Sequence, residues 1–168
     1  YEAKTLFPQQ MSTLEEQVAD TWRIHQRIMM FMIGALPDAA LSATLSTRGG
    51  RDIARQLAHA HNVRAMRLES FAKKQALPLY QFDKDESPAK EKLLEAFEQS
   101  GAAMEQYILF ALGNDGQVSN FKRGVVPMIG YYISHEAHHR GHLYLTMKQC
   151  GIKMPDELRW GIWEWNKI

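Results

Sequence analysis

A single cysteine, Cys150, stands in the 168 residues, so no intramolecular disulfide can staple this chain. Long apolar runs are lacking as well. The longest, Ile28 to Leu36, is about half of what a bilayer span needs, so a membrane protein is not expected. Neither sign of charge predominates: Lys+Arg number 20 and Asp+Glu 19, spread along the chain, for a net charge of +1. That balance excludes the basic footprint of a nucleic-acid binder. The densest arginine series, Arg48, Arg51, Arg55, Arg64 and Arg67, is interleaved with apolar residues at helical spacing and reads as a solvated helix face. No stretch alternates apolar and polar residues as a half-buried strand would. Repeats, low-complexity tracts and a signal-peptide pattern are also missing, and the expected location is the cytoplasm.

What is present is helical periodicity in a chain of ordinary globular composition, 45% hydrophobic and 23% charged. One domain covering residues 1–168 is expected. The first helix runs from about Thr13 to Leu36, with Leu14, Val18, Trp22, His25, Met29, Met32 and Leu36 at three- and four-residue steps. A loop with Gly49-Gly50 follows, then a second long helix from Asp52 to about Lys74, carried by Ile53, Leu57, Ala60, Arg64, Leu68 and Phe71. Ser87-Pro88 reads as the N-cap of a third, ending near Leu112. A fourth opens near Pro127 and stops at Gly151. Pro155-Asp156 starts a short closing helix with Trp160, Trp163 and Trp165, read as a packing lid. The predicted architecture is all-α, a four-helix bundle with a short C-terminal helix. Its long connections are expected to shape a site at one end, and its aromatic edges suit a homodimer. Cys150 reads as a small buried residue.

The fourth helix carries His135-Glu136-Ala137-His138-His139-Arg140-Gly141-His142, which holds four of the seven histidines. On a helix those four imidazoles fall within roughly 100° of arc. His135 and His139, one turn apart, can aim at a single ion, and a third ligand must then come from elsewhere. The second long helix offers His59 and His61, about 200° apart and so unable both to face one ion. Periodicity alone favours His61, nearer the centre of the apolar stripe. His25, on the buried stripe of the first helix, is a fallback. His138 and His142 are left to support the ligands, face a substrate, or lie on a solvated edge. Gly141 in mid-helix implies close approach by another helix or a ligand, as does Gly130, unless both are simply tolerated.

The same octet satisfies H-E-x-x-H, the zinc-peptidase pattern, in which Glu136 is the general base and Glu157 a downstream third ligand. Such enzymes bring a sheet above the metal helix, and no strand is visible for one. Glu136 lies about 100° around the helix from His135 and reads as a structural salt-bridge partner.

Two places in the chain resemble the DinB/YfiT-like superfamily of four-helix-bundle metalloproteins. One is Gly50-Arg51-Asp52-Ile53 leading to Gln56-Leu57-Ala58-His59-Ala60-His61-Asn62-Val63-Arg64. The other is the histidine octet, where members often carry His-x-x-His-His-Arg-Gly-Gln, so that His142 departs from the usual glutamine. The resemblance implies a divalent ion, zinc or nickel, held by one histidine of the second long helix and two of the last. Carried over, these are His59, His135 and His139, with His61 as the alternative that periodicity prefers. It also implies a metal-dependent hydrolase or a transferase using a low-molecular-weight thiol, acting on a small electrophile through a metal-bound thiolate or water. A non-catalytic, metal-binding or stress-related bundle is the alternative. The catalytic residues themselves stay unassigned.

Overall fold

The structure, a computed structural model, describes residues 13–119 and 121–167. Four long helices dominate, α1 (Leu14–Ala35), α3 (Ile53–Lys74), α4 (Lys90–Leu112) and α5 (Val125–Gln149), with two short ones, α2 (Asp38–Leu41) and α6 (Asp156–Gly161). Among the described residues there is no strand, and no helix is long and apolar enough to cross a membrane.

Local signals set most of the helix ends. Thr13 caps α1 in a reciprocal capping box with Glu16. The Asp52 carboxylate accepts from the Arg55 backbone N–H and starts α3. Ser87 is not the cap of α4, as the Ser-Pro pattern had implied. That helix begins after Ala89 with no side-chain cap, and the Ser87 hydroxyl instead donates to Asp52 at 2.8 Å, joining the two helix starts. Gly124, at φ +91°, opens α5, and Gly151, at φ +70°, follows its end in the left-handed conformation.

The bundle holds two apolar clusters with a polar layer between them. One cluster is built on Met29, Met32, Ile53, Leu57, Phe97, Leu143 and Met147. The other is built on Trp22, Leu68, Met104, Ile108, Met128 and Tyr132. On each long helix one or two nearly inaccessible polar residues fall between the two sets: His25 on α1, His61 and Arg64 on α3, Ser100 on α4, Glu136 on α5. The order in which each helix visits the clusters gives its direction. α1 and α5 run one way, α3 and α4 the other. α3 and α4 are therefore parallel neighbours, which a tight turn cannot join, and residues 75–89 make the crossover.

Several expectations from the sequence are corrected. Leu14, in the first turn of α1, is 72% exposed because no neighbouring helix reaches it. Arg64 is not on a solvated face but fully buried. Cys150 is exposed, its thiol near the Thr44 carbonyl. The tryptophans form no packed lid: Trp160 and Trp163 face solvent, and Leu158 and Ile162 do the packing. At Gly130 and Gly141 a β-carbon would meet nothing within 4 Å, so neither marks a close approach in this structure.

Candidate metal centre

The seam between α3 and α5 carries two sets of polar side chains, one facing inward and one outward. Inward, the Glu136 carboxylate is fully buried and takes both Arg64 Nε and Nη2 at 2.5 and 2.6 Å, plus His25 Nε2 at 2.8 Å. Arg64 Nη1 donates to Gln26 Oε1, and the Gln26 amide donates to the Phe97 carbonyl. The guanidinium sits between the rings of Trp22 and Phe97 at 4.8 and 4.7 Å. Burial alone would raise the Glu136 pKa, but the Arg64 charge and the hydrogen bonds from His25 and Arg64 outweigh it and hold the carboxyl at about 2. For His25, burial dominates and lowers the pKa, so it serves as a neutral donor to the carboxylate.

Outward, His59, His135 and His139 converge, each with one ring nitrogen placed so that the three lie within 4.8 Å of one another. His135 Nε2 and His139 Nε2 are 3.2 Å apart. That separation falls between the edges of an octahedron and a tetrahedron of nitrogens about 2.0–2.1 Å from a metal, roughly 3.0 and 3.4 Å. The Nδ1 atoms of both rings are buried without a hydrogen-bond partner among the described residues. Tyr131, one turn earlier on α5, stacks on His135 with an interplanar angle of 12°. Burial lowers the pKa of all three histidines. His59 is pushed further by Arg51 and His135, and His139 falls to about 4 under burial and four neighbouring imidazoles. At neutral pH the three rings are uncharged and their lone pairs are available. The donor set fits a divalent first-row ion that favours imidazole, with coordination positions to spare.

The other histidines are elsewhere. His61 is wholly buried, its Nδ1 3.1 Å from the Ser100 hydroxyl and its Nε2 2.7 Å from the Tyr80 carbonyl, so it fastens the crossover to the bundle. His25 belongs to the inner cluster, and His138 and His142 are exposed beside His139. The H-E-x-x-H reading fails on Glu136, which points into the bundle and is held by Arg64 and His25. Glu157, exposed on α6, is not among the converging side chains. Arg51 and Tyr131 were not marked as site residues from the sequence. Tyr131 was legible as a residue at i−4 from His135.

Beside His139 a cleft of about 490 Å³ opens, with Thr44, Ser46, Gly50 and Arg51 of the loop after α2 on one side and His138, His142 and Leu145 of α5 on the other. The first long connection thus forms one wall of a cleft beside His139. Among the described residues, no carboxylate lines this cleft.

A parallel-paired four-helix bundle with three converging imidazoles, one of them lining an open cleft, defines a class of helical proteins whose histidines could hold a divalent metal. The sequence matches the DinB family over residues 11–158, and the chain belongs to that family. No match was found among curated proteins or among solved structures.

Proposed function

We propose that this protein is a metal-dependent enzyme in which His59, His135 and His139 hold a zinc or nickel ion, and that it transfers a low-molecular-weight thiol, or water, to a small electrophile. The observation that carries this reading is the pair of facing Nε2 atoms, 3.2 Å apart, in rings whose Nδ1 atoms find no partner among the described residues. Three protein ligands leave open positions, where a divalent ion supplies Lewis acidity and lowers the pKa of a thiol or water.

The chain's own residues do the rest. The Arg64–Glu136 pair ties α5 to α3 directly beneath the histidines and so fixes the span between His59 and the His135–His139 pair. Tyr131 holds the plane of His135. The cleft receives the substrate. Arg51, His138, His139, His142 and the Thr44, Ser46 and Gln56 side chains line it, with no carboxylate among the described lining residues, which suits a substrate bearing an anionic group.

Elemental mass spectrometry on chain purified without a histidine tag tests the ligand set. Wild type and His61→Ala are expected to hold close to one divalent ion after exposure to excess zinc and removal of loosely held metal. His59→Ala and His139→Ala are expected to hold none. Absence of metal from the wild type under these conditions would remove the proposal. Metal without thiol- or water-dependent turnover of small electrophiles would leave a non-catalytic metal-binding bundle.

A further inference from the structure

The octet on α5 holds four histidines, and the centre proposed above uses two. The other two, His138 and His142, are also one turn apart, at exposed positions. Their ring centroids lie 4.1 Å apart, closer than the 4.6 Å between His135 and His139. Both face the cleft, with the oxygen-bearing side chains of Thr44, Ser46 and Gln56 also lining it. His138 and His142 are further linked to the inner set through ring contacts with His139 at 5.5 and 6.4 Å.

We propose that His138 and His142 form a second, outer transition-metal site at the mouth of the cleft. Two imidazoles four residues apart on a helix are a chelate in their own right for nitrogen-seeking divalent ions of the nickel, copper and zinc class. The helix fixes the spacing of the two rings, so little order has to be imposed when an ion arrives. Only two protein nitrogens contribute and both rings are exposed, so water and cleft oxygens complete the coordination. The ion binds more weakly and exchanges more readily than one held by His59, His135 and His139. The site does not depend on the activity proposed above.

Isothermal titration of the full-length, tag-free, chelator-stripped chain with Ni²⁺ tests it. Wild type is expected to bind in two steps, a tight one and a weaker one, each close to one ion per chain. His142→Gln and His138→Ala are expected to lose the weaker step and keep the tight one. His59→Ala is expected to lose the tight step and keep the weaker one. Since His138 and His142 are exposed, their variants are expected to keep the wild-type circular dichroism and melting temperature. A single step in the wild type that His59→Ala removes would overturn the outer site, as would a weaker step that survives in His142→Gln. A weaker step lost in His142→Gln, with no tight step in any variant, would support the outer site while removing the three-histidine reading.

Discussion

Neighbouring residues of α5, His135 and Glu136, belong to two clusters that differ in one respect. Inward, the strong donors and acceptors of Glu136, Arg64, His25 and Gln26 meet one another in a dry layer. Outward, three imidazoles face one another, two of them with Nδ1 atoms that find no partner among the described residues, and one of the three, His139, lines a cleft. Both clusters perturb pKa values, so a shifted pKa alone does not separate structure from function. Their partners do: the inner groups bond to one another in complementary donor and acceptor pairs, whereas the outer imidazoles converge on a common point.

The largest expected effect comes from breaking the inner cluster. Glu136→Ala leaves the Arg64 guanidinium buried without its counter-charge, a loss of about 3–5 kcal/mol in a chemical-denaturation experiment. The contrast between the clusters holds if the folded fraction of this variant still takes up metal. A loss below about 1 kcal/mol would mean that the ion pair is not the anchor the geometry describes.

Acid reaches the same cluster in a defined order. The folded-state pKa of His25 lies below its ordinary 6.5, so below that value the unfolded chain takes up a proton that the folded chain refuses. Stability from this group is present above pH 6.5 and declines as the pH falls. Glu136, at about 2 against an ordinary 4.5, adds a second decline between those values. Melting temperature followed from about pH 7 to about pH 3 without metal is therefore expected to fall in two stages. His25→Gln should remove its contribution to the first. A flat profile above about pH 5 would contradict a neutral, buried His25.

A smaller effect separates the two histidines of α3. His61→Ala strands the Tyr80 carbonyl and leaves the Ser100 hydroxyl only its longer bond to the Phe97 carbonyl, a loss of roughly 1–3 kcal/mol in stability with metal uptake intact. His59→Ala should change metal-free stability by about 0.5 kcal/mol or less, since the ring is only half-buried and its aromatic neighbours are the other two site imidazoles. Equal stability losses in the two variants would erase the distinction between a structural and a site histidine.

That pair also shows what was legible in the sequence. Periodicity locates the buried face of a helix, and by that measure it correctly placed His61 in the core. It cannot say whether a buried nitrogen is already bonded. The partner that settles this is Tyr80, on a crossover whose path no local pattern reveals. His59 lies at the edge of the stripe, half-buried and converging with His135 and His139, and resemblance rather than spacing singled it out. The four long helices were legible because caps and apolar steps are local signals. Arg64 was misread because its interior partner, Glu136, is 72 residues away in sequence.

A last pair of effects comes from glycines on the two sides of the comparison. On α4, a β-carbon at Gly101 would overlap the Gln26 amide, which would have to give up its bonds to Arg64 and the Phe97 carbonyl to move aside. Gly101→Ala is therefore expected to cost about 1–3 kcal/mol by displacing part of the inner cluster. On α5, a β-carbon at Gly141 meets nothing, and its backbone is already helical. Gly141→Ala narrows the unfolded ensemble without straining the folded one, a gain of about 0.4–1 kcal/mol, or roughly 1–4 °C in melting temperature for a chain of this size. Metal stoichiometry should be unchanged, because the residue lies among the site histidines in sequence yet touches none of the space they enclose. A Gly141→Ala variant that lost metal would show that the open side of α5 is used by the ligand, and that the outer cluster extends further around the helix than the three imidazoles do.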